Sequence, residues 1–257
     1  MKREESTVRS PDGLELFWRA WLPEGAPKGA LLFVHGLGEH SGRYQNPADY
    51  FVPRGWACYG LDYRAHGRSP GKKVHMHAFD DFLADVGAAH DLVLRRHAGV
   101  KTFLVGHSQG GLITILYALR RPQDLPGVVV SSPALGIHPS SQPNAVLKAL
   151  AGVFSKVAPG LLIPNGLDAT KISHDKAVVD AYVSDPLVST KVSARWFTEF
   201  LGAIDAAWAD AGKLRVPMLL MQSAEDFLVD PEATRRWAAR APKDKVEFVW
   251  WEGLYHE

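Results

Sequence analysis

The pentapeptide Gly106-His107-Ser108-Gln109-Gly110 sets a serine midway between two glycines. The apolar run Phe103-Leu104-Val105 leads into it, and Leu112-Ile113-Thr114-Ile115 continues beyond it. Strand, sharp turn and helix in that order form an elbow that lifts the serine hydroxyl clear of the backbone. Glycine at 106 and 110 lets neighbouring chain approach closely, and the helix N-terminus behind the serine favours developing negative charge. A serine hydroxyl is a weak nucleophile at neutral pH and needs a base to take its proton. Alone, the pentapeptide would also suit a tight turn with an ordinary serine, so the partners decide the matter.

Of eleven histidines, only His138, His174 and His256 follow Ser108. His256 comes after the apolar run Val246 to Trp250 and a short loop, a place from which a ring can reach the elbow. His138 and His174 fall in a stretch without strand pattern. For the acid, Gln222-Ser223-Ala224-Glu225-Asp226 follows the run Met218 to Met221. A buried carboxylate that accepts from the histidine ring holds its tautomer and steadies its charged form. Asp226 is favoured over Glu225 and Asp230; Asp230 precedes Pro231 and has the form of a helix N-cap. The Gly-rich loop His35-Gly36-Leu37-Gly38-Glu39 follows the run Ala30 to Val34. In an elbow enzyme such a loop supplies one main-chain N–H to the oxyanion, here that of Leu37, and the residue after the nucleophile, Gln109, supplies the other. A plain strand-to-helix turn is the alternative for this loop.

These residues need a scaffold. Leu14 to Leu22 alternates as a half-covered strand, whereas Ala30 to Val34, Trp56 to Leu61, Thr102 to Val105, Val128 to Val130, Met218 to Met221 and Val246 to Trp250 read as short buried strands. Helical spacing marks Phe82, Leu83, Val86, Ala89 and Val93 within Phe79 to Arg96, and again Leu112 to Leu119. Short strands alternating with helices predict an α/β protein with a mostly parallel sheet covered on both faces, and ligands bind at the C-terminal ends of such strands. All the motifs fall at those ends. From Pro133 to Arg215 the alternation stops. Residues 1–133 and 215–257 are therefore expected to form an α/β-hydrolase core, and 134–214 a helical cap or lid inserted into it. Extra scaffold helices are the plainer alternative for the insertion.

The chain has 257 residues, 46% hydrophobic and 22% charged, with a formal net charge of +1. That balance gives no global field to recruit nucleic acid. Cys58 is the only cysteine and sits in an apolar run, so no intrachain disulfide is expected. The N-terminus lacks the apolar core of a signal peptide, and no stretch reaches the ~18 apolar residues of a membrane span. The expectation is a soluble cytoplasmic protein, peripheral to membranes at most. His75-Met76-His77 lacks a matched third ligand, so no metal is expected. Arg64, His66 and Ser69 read as members of a loop stapled by charged hydrogen bonds rather than as catalytic groups.

His35-Gly36-Leu37-Gly38-Glu39-His40-Ser41-Gly42-Arg43-Tyr44 resembles the oxyanion-loop signature of monoacylglycerol lipases and related lysophospholipase-like hydrolases. Asp62 to Ser69 resembles that family's D-x-R-G-H-G-x-S segment, Gly106 to Gly111 its GHSMGG elbow, and Ser223 to Asp226 and Gly253 to His256 its acid and base loops. Three residues depart from the pattern. Ala65 and Ser223 stand where glycine is usual, and Gln109 replaces a common methionine, an exchange of little consequence if only its N–H acts. The chain also stops at Glu257, one residue past the base, where that family continues into a further helix; this reads as truncation and leaves open what fixes His256.

The resemblance implies ester hydrolysis through an acyl-enzyme by Ser108, His256 and Asp226, with no cofactor and with monoacylglycerol as first-choice substrate. Lysophospholipids, short esters or an amide are alternatives, and a non-catalytic binding protein of this fold is a different kind of alternative. Dehalogenases and epoxide hydrolases carry Asp at the elbow instead. Apolar cap segments such as Val146-Leu147, Val153-Phe154, Leu161-Leu162-Ile163 and Trp196-Phe197 could line an acyl tunnel, touch a membrane transiently, or simply form the cap's own core. The sequence sets no oligomeric state.

Overall fold

A computed structural model describes residues 1–257. The chain opens with a hairpin, β1 (Lys2–Arg9) antiparallel to β2 (Glu15–Leu22). Next come β3 (Gly29–Val34), α1 (Gln45–Phe51), β4 (Trp56–Leu61), α2 (Asp80–Arg96), β5 (Thr102–His107), α3 (Gln109–Arg120) and β6 (Val128–Ser131). After an excursion the chain returns as β9 (Met218–Ser223), α7 (Pro231–Arg240) and β10 (Val246–Trp251). The eight main strands lie in the order β1-β2-β4-β3-β5-β6-β9-β10, and from β4 to β10 all pairings are parallel. The protein thus has the mostly parallel sheet that its apolar runs predict.

Successive side chains of a strand point to opposite faces. Leu32 and Val34 of β3 therefore enter the main core with α2 and α3, while Leu31 and Phe33 join a smaller cluster with Trp21, Ala48, Val52 and Cys58 on the other face. Burial pushes the Cys58 thiol up to about 12, so it is an inert core group. All five residues at helical spacing in α2 are buried. β1 was not expected. Its residues Lys2-Arg3-Glu4-Glu5 carry no apolar alternation; the strand exists because its backbone pairs residue for residue with β2, and its charges suit an exposed sheet edge.

Between β6 and β9 lie α4 (Ala145–Val157), β7 (Leu162–Pro164), α5 (Lys176–Ser184), β8 (Lys191–Ser193) and α6 (Ala194–Asp210). β7 and β8 pair only with each other, so none of this stretch joins the main sheet. Ser193 caps α6 by accepting from Trp196 N–H at 3.1 Å. Trp196, Phe200, Ala203, Ile204 and Ala207 of α6 pack into the main core, and α4 rests outside α6, with Ser155 and Thr198 hydroxyls bonded at 2.7 Å. No helix is long and apolar enough to cross a membrane.

Candidate active site

Ser108 joins β5 to α3 with φ 54° and ψ −121°, a conformation that costs a residue with a side chain roughly 1–3 kcal/mol. Three main-chain bonds hold it there: its N–H donates to Ser131 O at 3.0 Å, and its carbonyl accepts from Leu112 and Ala134 N–H at 3.1 and 3.0 Å. The surroundings also explain the flanking glycines. A Cβ on Gly110 would lie 2.0 Å from Val34 O, and one on Gly106 2.4 Å from Gly110 O. At Gly110 backbone alone fills that space, and at Gly106 the Thr114 hydroxyl shares it with backbone.

His256 Nδ1 lies 2.6 Å from Asp226 Oδ2. Both residues are buried. The other carboxylate oxygen accepts from Leu228 and Val229 N–H at 2.8 and 3.0 Å. Burial disfavours each charged form, but the attraction between the two outweighs it, so His256 is held above the ordinary imidazole value and Asp226 below the ordinary carboxyl value. Nearby His107, with ring centroids 4.6 Å apart, is lowered chiefly by burial. Of the rival acids, Glu225 is exposed, and Asp230 caps α7 by accepting from Glu232 N–H at 3.0 Å.

The loop carrying His256 is held at several points. Glu225 N–H donates to Leu254 O at 3.2 Å and Glu257 N–H to Ile172 O at 2.8 Å. The Tyr255 ring packs on His174 with centroids 3.6 Å apart. The Glu257 carboxylate meets Arg43, which also pairs with the buried Glu39 carboxylate. Glu39 in turn accepts from Gly36 N–H. Burial alone would raise the Glu39 pKa; the Arg43 guanidinium paired with it is the main cause that brings it down to about 2.

Leu37 and Gln109 line the same cavity as Ser108 and His256. Neither main-chain N–H is spent on a protein acceptor. For Gln109 this follows from its place in the first turn of α3, where helix donors have no internal partner. Gly38, at φ +71°, packs so closely under Ser189 that a Cβ would lie 2.4 Å from the Ser189 carbonyl. Ser189 N–H donates to Gly38 O at 2.7 Å, and His40 Nε2 lies 2.8 Å from Asp185 Oδ2. The segment between α5 and β8 is thereby fastened to the loop after β3.

The Arg64, His66 and Ser69 loop is stapled as expected. Arg64 forks onto buried Asp85 at 2.8 and 2.6 Å and reaches Asp12 at 2.7 Å, and Ser69 Oγ accepts from Phe17 N–H at 2.8 Å. His75 Nδ1 contacts Ser193 Oγ at 3.0 Å. One expectation needs correcting: the Gln109 side chain is not idle. It is buried and bonded to Tyr63 and Trp196. Tyr63, Glu39, Arg43 and Glu257 carry no individual role in the sequence, and Trp196 figures there only as a candidate tunnel-lining residue. A Glu and an Arg four residues apart in a polar loop look like surface groups, and only the fold buries the Glu and half-buries the Arg.

The cavity has a volume of about 830 Å³, inside the ~300–1,000 Å³ range of small-molecule sites. Leu147, Leu150, Phe154, Ile163, Phe197 and Phe200 form much of its wall. A mostly parallel sheet, a serine strained at the end of a central strand, and a buried acid–histidine pair that follows the last two strands, β9 and β10, make the protein a serine hydrolase of the α/β-hydrolase class. More narrowly, it belongs to the family described as serine aminopeptidase, S33, which matches residues 25–257. It is 34% identical to a Mycolicibacterium smegmatis protein named monoacylglycerol lipase, over 99% of this chain and 90% of that one. It is also 34% identical to a human monoglyceride lipase, over 95% and 80%. The crystal structure of a Paleococcus ferrophilus monoacylglycerol lipase superposes with a TM-score of 0.85 at 34% identity, covering 95% of this chain and 91% of that one.

Proposed function

We propose that the protein hydrolyses monoacylglycerols through an acyl-enzyme on Ser108. The observation that carries this reading is the buried Asp226–His256 pair opening into the same apolar-walled cavity as the strained Ser108. His256 removes the Ser108 proton as Oγ attacks the ester carbonyl. The Leu37 and Gln109 N–H groups stabilise the oxyanion. The tetrahedral species collapses, the C–O bond to the alcohol breaks, and His256 gives its proton to the departing oxygen. Water then attacks the acyl-serine with His256 again as base, releasing the fatty acid and restoring Ser108.

Charge at the cavity favours a neutral alcohol over a phosphate-bearing one. Among the lining residues three carboxylates, Glu39, Asp168 and Glu257, face two cations, Arg43 and Lys171. Arg43 is already engaged by Glu39 and Glu257. A lysophospholipid phosphate would meet a net negative wall, whereas hydroxyls of glycerol can bond to either sign of charge.

Residues 134–214 act in this reading as a cap. Leu147, Leu150 and Phe154 of α4 face the cavity, while Val146, Val153 and Val157 stand 66%, 55% and 72% exposed. A helix apolar on both sides at the mouth of a lipid site is suited to dip transiently into a membrane surface. Ser108→Ala tests the chemistry. Ester turnover and fluorophosphonate labelling should vanish while the fold survives; undiminished labelling would overturn the assignment. A panel of monoacylglycerols, lysophospholipids, p-nitrophenyl esters and amides of matched acyl length then reads out substrate class. A folded protein that turns over none of them is a binding protein instead.

A further inference from the structure

The Gln109 side chain sits in a chain of hydrogen bonds that the reaction as described does not require. Its Oε1 accepts from Trp196 Nε1 at 2.7 Å. Its Nε2 donates to Tyr63 Oη at 3.0 Å. Tyr63 Oη donates in turn to Gly36 O at 2.9 Å, with His35 O further off at 3.2 Å. The chain runs from α6, through the first residue of α3 and the tyrosine just past β4, to the loop after β3. All three side chains are buried.

The end of this relay matters because of peptide geometry. Gly36 C=O and Leu37 N–H belong to one planar, trans unit, and the two bonds point in opposite directions. Whatever fixes the carbonyl oxygen therefore aims the N–H. A donor on the carbonyl also polarises the amide and strengthens its N–H as a donor. Gly36 O has a second partner, His35 Nδ1 at 2.9 Å; burial lowers that imidazole, so it is neutral. The Tyr63 ring stacks on His35 with centroids 4.0 Å apart and planes 13° apart, which limits its tilt. Burial raises the Tyr63 phenol well above its ordinary value, so it stays a donor.

We propose that Tyr63 and Gln109 are positioning residues for the oxyanion hole: the relay Trp196–Gln109–Tyr63–Gly36 aims the Leu37 N–H and keeps it in register with the N–H of Gln109 itself. The two donors come from different loops, and this relay is the side-chain link between them. It also makes the hole sensitive to the seat of α6, because Trp196 anchors the far end. The proposal rests on Leu37 and Gln109 being the oxyanion donors.

The test uses Tyr63→Phe, which removes one oxygen, Gln109→Met, which keeps an unbranched chain of similar length, and the double variant. Kinetics are measured with a soluble p-nitrophenyl ester and normalised to active sites titrated with a fluorophosphonate. Each single variant should lower kcat about tenfold, less than the ~10²–10³ lost on removing a donor outright, with KM within about twofold and an unshifted acid limb of the pH profile. Inhibition by a trifluoromethyl ketone, whose adduct places an oxyanion in the hole, should weaken by the same factor. The double variant should be no worse than the poorer single, because a relay already broken cannot break again. A purely structural role would lower the melting temperature and the active fraction but leave kcat per active site and ketone affinity unmoved; that result, or additive losses, overturns the proposal. If Gln109→Met does not fold, Trp196→Phe at the far end carries the same expectation. Failure of the wild-type chain to turn over ester or to label at Ser108 would instead overturn the underlying reading.

Discussion

The Arg43 guanidinium grips the Glu257 carboxylate through two bonds of 2.8 Å, Nη1 to Oε1 and Nη2 to Oε2. These residues are 214 positions apart. One follows His256 directly and the other belongs to the loop that carries Leu37. Through Glu39 the same guanidinium reaches Gly36 N–H. The two halves of the site are thus tied by a carboxylate–guanidinium–carboxylate bridge, which helps to hold His256 in place.

Arg43→Met should break the bridge and leave Glu39 buried without its cation. Removing one partner of a buried pair typically costs ~3–5 kcal/mol, which for a chain of this size lowers the melting temperature by roughly 10 °C. Ester turnover should fall with it, because His256 and the Leu37 loop both lose an anchor. Thermal denaturation and kcat on a soluble ester check this. A melting temperature within about 2 °C of wild type would show that the pair contributes little.

The pH dependence follows from His256. Only the neutral ring can accept the Ser108 proton, and the folded protein holds the ring above its ordinary value through Asp226. The acid limb of kcat/KM should therefore titrate above ~6.5, the value of an unperturbed imidazole, with activity lost as pH falls through it. Asp226→Asn should abolish most of the rate at every pH, since the ring then loses both its orientation and its counter-charge. An acid limb at or below the free imidazole value in the wild-type protein would contradict the geometry.

Two backbone positions predict opposite signs. Gly38→Ala puts a Cβ 2.4 Å from the Ser189 carbonyl at φ +71°, so it should destabilise by about 2 kcal/mol or more and reduce turnover by shifting the Leu37 loop. Ala65 occupies φ +62°, where a Cβ costs roughly 1–2 kcal/mol. Ala65→Gly should therefore raise stability by about 1 kcal/mol, once the greater freedom of glycine in the unfolded chain is subtracted. Urea denaturation of both variants reads the signs directly.

The outer face of α4 gives a test of membrane contact. Val146→Asp with Val157→Asp changes two exposed side chains that do not line the cavity. Binding to lipid vesicles, measured by co-sedimentation, should weaken by at least tenfold, as expected when two apolar contacts become charges at an interface. Turnover of a water-soluble ester should stay as in wild type. Unchanged sedimentation would remove the membrane role from α4.

Much of the scaffold is legible in the chain. Short apolar runs mark each inner strand because a strand buried on both faces must be apolar throughout, and the five core residues of α2 are visible at helical spacing. β1 is invisible because its pairing is a backbone property that its charged side chains do not report. The three-residue strands β7 and β8 are too short for any period to show.

What the amino-acid order determined by itself is the elbow: glycines at 106 and 110 around Ser108, a strand before and a helix after, with Asp226 and His256 behind later strands. Those are local requirements of turn geometry and chain order, and local requirements are written in adjacent residues. Only the tertiary structure decided which polar side chains are withdrawn from water. Glu39 with Arg43 and Glu257, and Gln109 with Tyr63 and Trp196, are ordinary polar or aromatic residues until the fold brings distant segments together around them. Glu39, Gln109, Tyr63 and Trp196 are buried, and a buried polar group must find a partner or destabilise the protein. The partners they find are the loops on either side of Ser108.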